Sequence, residues 1–313
     1  MNIKKIGLTA LAASLVSVSA QAGEMSVNGG ASMAIKNNSG VDAGKAITMG
    51  NQLTFTGGGE LDNGLNVSLS FVLDHADNVA SGFDSHSITV SSDALGSITV
   101  AGDGASNAQS ALDTTAAGDV WDNGFSYDGT AYIKMASSSA SGSSINYTLP
   151  TLMDDLAIAA SYSPSGTSLT STTAFSLTYT GVEGLSLSYG ASENGSTVAG
   201  TAGDVATMKG SYAIGSFTAA YSNTESDKET GGTDEEMSSF KLSYTVSDDL
   251  SISYGEETHE TAGAALDEEF EVVSASYTTG GMTVTASQYD ASNLANTAGQ
   301  TAERWKLGLA FAF

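Results

Sequence analysis

The last ten residues, Arg304 to Phe313, read R-W-K-L-G-L-A-F-A-F and decide the fold class. Large apolar residues alternate with charged or small ones along this stretch. Because successive side chains of a β-strand point to opposite faces, it predicts a strand with one apolar face and one small or charged face. A chain end of this kind is held in place when lipid covers the apolar face and two neighbouring strands satisfy the backbone, as in a closed membrane barrel.

The first 22 residues predict an export signal that is removed near Ala22. Lys4 and Lys5 form a charged start, residues 6–18 form an apolar run, and Ala-Gln-Ala at the end is a small-residue cleavage site. The run is too short, and too rich in Ser and Thr, for a membrane-spanning helix. We therefore assign residues 23–313 to a single domain.

Charge and composition exclude several classes of protein. Residues 23–313 keep 8 Lys and Arg against 35 Asp and Glu, a net charge of −27, which excludes the basic surface that nucleic acids require. The chain has no Cys, and so offers no disulfide, thiol nucleophile or thiolate metal site. After residue 22 no apolar run approaches the roughly 18 residues of a membrane helix, so a membrane could be crossed only with strands.

One pattern repeats along residues 23–313: an alternating segment, a short turn, another alternating segment and a longer polar loop. Gly with Asn or Asp marks the short turns, since tight hairpins need positive φ. Residues 131–135 also alternate but would break the even strand count, so we assign them to the third long loop or to an extension of the sixth strand. The predicted strands are residues 25–36, 46–58, 65–74, 85–92, 97–102, 143–149, 156–163, 172–181, 185–192, 205–213, 216–224, 237–247, 250–258, 268–278, 282–290 and 303–313.

The two faces of these strands favour a membrane barrel over a soluble sandwich. A sandwich carries many charges on its outer faces, whereas only 14% of this chain is charged and most charges lie in the predicted loops. Apolar faces alternate here with faces rich in Ser, Thr, Gly and Ala, as in barrels with lipid outside and water inside. We predict an all-β, sixteen-stranded antiparallel transmembrane barrel, a size that leaves an aqueous channel.

The chain resembles the Gram-negative general porins, and within them the alphaproteobacterial type. The resemblance is carried by the signal ending S-A-Q-A, the terminal strand closing on Phe313, the short-turn, long-loop rhythm and a long third loop after the fifth strand. It implies an outer-membrane homotrimer whose third loop folds inward to narrow the pore. It also implies that the barrel-assembly machinery reads Phe313. Arg304 is the only Arg, so the arginine cluster common on the family's pore wall is absent.

Two groups of charged residues are the candidate site of the pore. Acids of the third loop would concentrate cations in a narrow channel of low dielectric constant. Basic residues with the inward phase would form the opposing wall, since a cation facing hydrocarbon is costly. Glu269 and Glu271 are assigned an inward phase on the fourteenth strand. The loop acids are Asp103, Asp113, Asp119, Asp122 and Asp128, and the wall residues are Lys209, Lys241, Arg304, Lys306 and Lys36.

The predicted function is a water-filled outer-membrane pore for small hydrophilic solutes and ions, with a preference for cations. Two alternatives remain open: a substrate-specific porin and a secreted surface β-sandwich or adhesin. Catalysis is not expected, because His75, His86 and His259 are scattered and none has zinc-site spacing. No metal or cofactor is predicted. The expected partners are outer-membrane lipid, the permeating solutes and cations, the assembly machinery and two further copies of the chain.

Overall fold

The computed structural model describes residues 25–40, 43–74, 83–103, 106–125, 143–164, 171–194, 203–229 and 231–313. Sixteen antiparallel strands follow one another around a closed barrel. Within these ranges no helix is long and apolar enough to cross a membrane. The strands β1 to β16 are Met25–Gly40, Gly44–Glu60, Asn66–Asp74, Phe83–Ser92, Gly96–Asp103, Ser144–Thr148, Leu156–Ser163, Thr172–Val182, Leu185–Asn194, Gly203–Ile214, Phe217–Lys228, Glu235–Thr245, Leu250–Thr261, Glu268–Thr279, Met282–Ser292 and Ala302–Ala312.

The barrel closes where the first strand pairs with the last. β1 and β16 are antiparallel from the Gly30–Ala312 pair to the Gly40–Ala302 pair. Beyond them, Phe313 N donates to Gly29 O at 2.9 Å and Gly29 N donates to Phe313 O at 2.7 Å. The predicted terminal strand and the sixteen-strand barrel are therefore confirmed, and the alternative of a two-sheet sandwich is wrong.

The strands carry an apolar outer face and a polar inner face. Leu187, Ile252 and Trp305 are between 45% and 47% exposed, whereas Thr207 and Ser239 on the opposite phase are at most 3% exposed. These polar side chains are buried because the segment between β5 and β6 packs against the inner face of the barrel. An exposed apolar face around a closed ring of strands is the arrangement that lipid stabilises.

The short turns adopt the backbone geometry that their glycines predict. Gly184 has φ of 78°, between β8 and β9, and Gly96 has φ of 75° at the start of β5. A Cβ at either position would also clash with a backbone oxygen of a neighbouring strand, Ala213 O or Thr148 O. Only glycine fits both the dihedral angle and the space.

Several predicted strand boundaries are wrong at the loop side of the barrel. Residues 225–236 were expected to form a loop, yet β11 continues to Lys228 and β12 begins at Glu235. Asp103 likewise ends β5 instead of opening the third loop. Polar side chains do not end a strand here, because the backbone ladder between β11 and β12 continues to the Ser226–Glu235 pair.

The inward phase assigned to Glu269 and Glu271 on β14 is also wrong. Both side chains are exposed on the outer phase, and their neighbours Phe270 and Val272 are buried inside at 1% and 6% exposure. Two large apolar residues face inward because a small apolar cluster forms there. The predicted export signal and residues 131–135 lie outside the described residues.

A cation on the outer face should destabilise the barrel much more than one on the inner face. Ile252→Lys places an ammonium group among lipid-facing side chains of β13, and we expect a loss of about 2 kcal/mol in the free energy of unfolding. Ser253→Lys is the matched control, because the side chain of Ser253, next to Ile252 on β13, points to the polar face. Urea unfolding in lipid vesicles measures both, and equal losses would contradict the assigned faces.

Candidate functional site

Residues 106–125, the third-loop segment, lie between β5 and β6 and cross the polar face of the wall. Three of its backbone N–H groups donate to serines of three different strands. The serine hydroxyls of the wall thereby accept hydrogen bonds from backbone N–H groups that have no strand partner inside the barrel. These hydrogen bonds join Ala108 N to Ser161 Oγ at 2.9 Å, Ala116 N to Ser222 Oγ at 2.8 Å and Ala117 N to Ser239 Oγ at 2.9 Å.

Glu257 on β13 is the anchor of this segment. Its carboxylate accepts hydrogen bonds from Thr115 Oγ1 and, at 3.0 Å, from Trp121 N, and its side chain is only 1% exposed. The segment approaches closely because the same strand has Gly255 nearby, where a Cβ would lie 2.8 Å from the Cβ of Ala117. A buried carboxylate with these donors fixes the course of the segment along the wall.

The end of the segment packs into an inner apolar cluster. The Phe125 ring lies 5.7 Å from that of Phe270 on β14, measured between centroids. Leu294, from the connection between β15 and β16, is 1% exposed in the same cluster. The guanidinium Cζ of Arg304 lies 5.9 Å from the centre of the Phe125 ring, within the range of a cation–π contact.

The structure brings two of the predicted loop acids next to a predicted wall cation. Lys209 Nζ donates to Thr114 O at 2.5 Å, and this lysine interacts electrostatically with Asp113 and Asp119. Burial, reinforced by the charge of Asp119, raises the pKa of Asp113 to about 6. Burial also raises the pKa of Asp119, although hydrogen bonds from Thr115 oppose the rise. Both carboxyl groups thus lie partly removed from water.

The other basic residues form a separate group where the barrel closes. Lys36 on β1 is directly opposite Lys306 on β16, and Arg304 is two residues away on the same face. Arg304 is 3% exposed and its Nε donates to Asn38 Oδ1 at 2.6 Å. The wall cations predicted as one set therefore occupy two regions of the barrel.

The remaining predicted site residues are less closely associated. Lys241 lies on the polar face of β12, opposite Gly255, and interacts electrostatically with Lys209. Asp122 is exposed within the short π-helix Val120–Gly124. The side chain of Asp103 and the whole of Asp128 lie outside the described part of the chain.

Sequence reasoning missed the buried ionisable residues that hold the loops. One of them is Glu257. The other two are His259 and Glu268, whose Nδ1 and Oε2 atoms form a hydrogen bond of 2.9 Å. Glu268 also accepts from Ala295 N at 2.6 Å, which ties the β15–β16 connection to the wall. The inward phase of Glu257 on a predicted strand was available as a signal, but its partners Thr115 and Trp121 are distant in sequence. His259 lay in a predicted loop, and Glu268 was given the outward phase when Glu269 and Glu271 were assigned inward. The described residues contain no group of three or more His, Asp or Glu placed to hold a metal ion.

Comparison with known proteins agrees with the observed architecture. A family profile described as Gram-negative porin matches residues 7–270. Comparison with curated proteins gave no significant match. Among solved structures, the anion-selective porin of Comamonas acidovorans has 15% identity and a TM-score of 0.69, with 93% of this chain and 99% of that chain covered.

Two further structures have the same fold. A loop-deletion mutant of OmpT, an outer membrane protein of Vibrio cholerae, has 18% identity and a TM-score of 0.69 over 94% of this chain and 100% of that chain. A mutant of the Rh. blastica porin has 16% identity and a TM-score of 0.66 over 93% and 100%. At these identities the similarity establishes the fold alone. The properties of the site must be inferred from the residues of this chain.

Removing the Glu257 carboxylate should release the third-loop segment. In Glu257→Ala, Thr115 and Trp121 lose their acceptor, and we expect the free energy of unfolding to fall by about 2–3 kcal/mol. Protease should also cleave within residues 106–125 faster. Glu256→Ala, which removes the exposed carboxylate next along β13, is the matched control. Unchanged cleavage in Glu257→Ala would contradict the anchoring role.

Proposed function

Because this chain belongs to the Gram-negative porin family, we propose that it forms a water-filled pore for passive diffusion of small hydrophilic solutes and ions, with a preference for cations. Family membership and the closed barrel make it a channel-forming protein of the outer membrane. The proposed passage of solutes and preference for cations are supported by the third-loop segment, which brings carboxyl groups onto the polar face of the wall.

The third-loop segment narrows the pore in this proposal. Sixteen strands enclose a lumen wide enough for water. The segment contacts the wall from β7, through Ser161, to β16, through Arg304, and so extends over much of the inner circumference. Its hydrogen bonds to wall serines and to Glu257 hold it there. Solutes then pass between the segment and the remaining wall.

The preference for cations follows from the charges of the segment and of the whole chain. Asp113, Asp119 and Asp122 belong to the narrowing segment, and the formal net charge of the full chain is −25. A narrow channel with walls of low dielectric constant focuses such a field and raises the local concentration of cations. Lys209 offsets part of this charge. The Comamonas acidovorans porin is anion-selective, but its 15% identity leaves ion preference to the side chains of each protein.

The proposal includes the route to the membrane and the assembly state. Export with cleavage near Ala22 delivers residues 23–313, and the barrel-assembly machinery recognises the strand that ends at Phe313. The working form is a homotrimer embedded in outer-membrane lipid. The apolar face of the terminal strand, with Trp305 45% and Phe313 74% exposed, supports contact with lipid or with the neighbouring copies.

Zero-current potentials across planar bilayers test the ion preference. In a KCl gradient the pore should give the sign of a cation-selective channel. Asp113→Asn should reduce that potential, because it removes a carboxyl group from the narrowing segment. Asp62→Asn, in the short turn after β2, is the control and should leave the potential unchanged. An anion-selective sign for the unmodified protein would refute the preference.

The cation preference should depend on pH near neutrality. A carboxyl group with a raised pKa is charged above that pKa and neutral below it, so Asp113 loses its charge as pH falls through about 6. We expect the ratio of K⁺ to Cl⁻ permeability to fall between pH 7.5 and 5. Asp113→Asn should make this step smaller, with Asp119 supplying what remains because its pKa is also raised, whereas Asp122→Asn leaves Asp113 in place and should keep the full step. A step of unchanged size in Asp113→Asn would contradict the assignment.

A further inference from the structure

A buried histidine at the loop end of the inner wall has the chemistry of a metal ligand. His259 on β13 is 3% exposed, and Glu235, the first residue of β12, lies beside it on the same face. We propose that His259 Nε2 and Glu235 Oε1 together bind one divalent transition-metal ion, such as Zn²⁺ or Cu²⁺. The inference goes beyond the proposed diffusion pore, because the site does not depend on which ions the pore conducts.

Glu268 determines which nitrogen of the imidazole ring is free. Its Oε2 lies 2.9 Å from His259 Nδ1, and its Oε1 accepts a hydrogen bond from Ala295 N at 2.6 Å. An ionised carboxylate can only accept, so Nδ1 carries the proton and the lone pair of the neutral ring is on Nε2. Histidines that bind metals are oriented in this way, by a carboxylate on the nitrogen that does not bind the ion.

His259 Nε2 is a buried polar atom without a hydrogen-bond partner among the described residues. Glu235 Oε1 lies 3.8 Å away, which is too far for a hydrogen bond. Buried polar atoms nearly always have a partner, so an unpaired one points to an ion or a water molecule beside it. Within the same described ranges Ser226 Oγ, directly opposite Glu235 on β11, is also buried and unpaired. Two unpaired polar atoms thus flank one carboxylate.

The distance between the two ligand atoms suits a small ion. Zinc lies about 2.0–2.2 Å from an imidazole nitrogen or a carboxylate oxygen, so a tetrahedral angle places these ligand atoms about 3.3 Å apart. The observed 3.8 Å requires a shift of only about half an ångström, and the Glu235 side chain is 17% exposed and free to move by that much.

The types of the two ligand atoms decide the class of metal. One imidazole nitrogen and one carboxylate oxygen favour Zn²⁺, Ni²⁺ and Cu²⁺, whereas Mg²⁺ and Ca²⁺ prefer oxygen ligands alone. Two protein ligands leave the remaining positions of the ion to water. We therefore expect weaker binding than at a structural zinc site, which has four protein ligands.

Lys228, the last residue of β11, is the cation that opposes a metal at Glu235. Its Nζ lies 3.9 Å from Glu235 Oε2, the oxygen that we do not assign to the metal. A positive charge at this distance repels a metal ion bound to the same carboxylate. Lys228→Gln should therefore strengthen metal binding, a gain that misfolding does not produce.

Calorimetric titration of the purified full-length protein with ZnCl₂ tests the site. An excess of MgCl₂ occupies the exposed carboxylates, and one Zn²⁺ per chain should still bind. Glu268→Gln should weaken this binding about 10- to 100-fold, the usual effect of losing the group that orients a ligand. His259→Asn keeps a donor to Glu268 but has no atom in place of Nε2, so it should weaken binding at least as much, as should Glu235→Gln. His86→Asn, at an exposed histidine of β4, is the matched control.

Copper gives a measurement that a purely structural role of His259 would not change. The electron paramagnetic resonance spectrum of the protein with one equivalent of Cu²⁺ should show splitting from one coordinated imidazole nitrogen. His259→Asn should remove this splitting, and His86→Asn should keep it.

Three results would overturn the inference. The first is an absence of Zn²⁺ binding in excess MgCl₂, which would mean that a proton or a water molecule serves Nε2. The second is unchanged binding in His259→Asn, which would identify an adventitious ion on surface carboxylates only. The third is unchanged or weaker binding in Lys228→Gln, which decides the matter even if His259→Asn fails to fold. Each is independent of the zero-current potential, which tests the proposed cation preference separately.

Discussion

The hydrogen-bonded closure of β1 against β16 is the constraint on which the rest of the structure depends. Lipid supplies no donors or acceptors, so a sheet in a membrane is stable only when every strand has two neighbours. The ladder from the Gly30–Ala312 pair to the Gly40–Ala302 pair, extended by Phe313 and Gly29, meets that condition. Once the ring is closed, one face of every strand must meet lipid and the other must meet the interior.

Because one face of each strand points into the barrel, polar side chains on that face can bind the third-loop segment. Wall serines such as Ser222 and Ser239 can satisfy a backbone that enters the barrel, and Glu257 can bind several donors at once. A buried carboxylate is costly unless it is hydrogen-bonded, so its partners are held firmly. The interior is consequently shaped by a segment that forms no strand of the wall, together with the apolar cluster at Phe125 and Leu294.

The interior charges are divided into two regions of opposite character. Around Lys209 the carboxyl groups of Asp113 and Asp119 lie on the third-loop segment, and at the closure Lys36, Arg304 and Lys306 lie together. Ions and solutes crossing the pore would meet both regions.

The amino-acid sequence by itself determined the number and order of the strands, the closing strand and the face of most strand residues, because period-two alternation and turn glycines are local signals. It placed Lys209, Lys306 and Arg304 on the inner face. It missed the strand extensions, the inward Phe270 and the anchor Glu257. Only the tertiary structure decided which loop atoms meet which wall atoms, because those partners are far apart in the chain. The cost of burying Glu257 is offset only when Thr115 and Trp121 reach it.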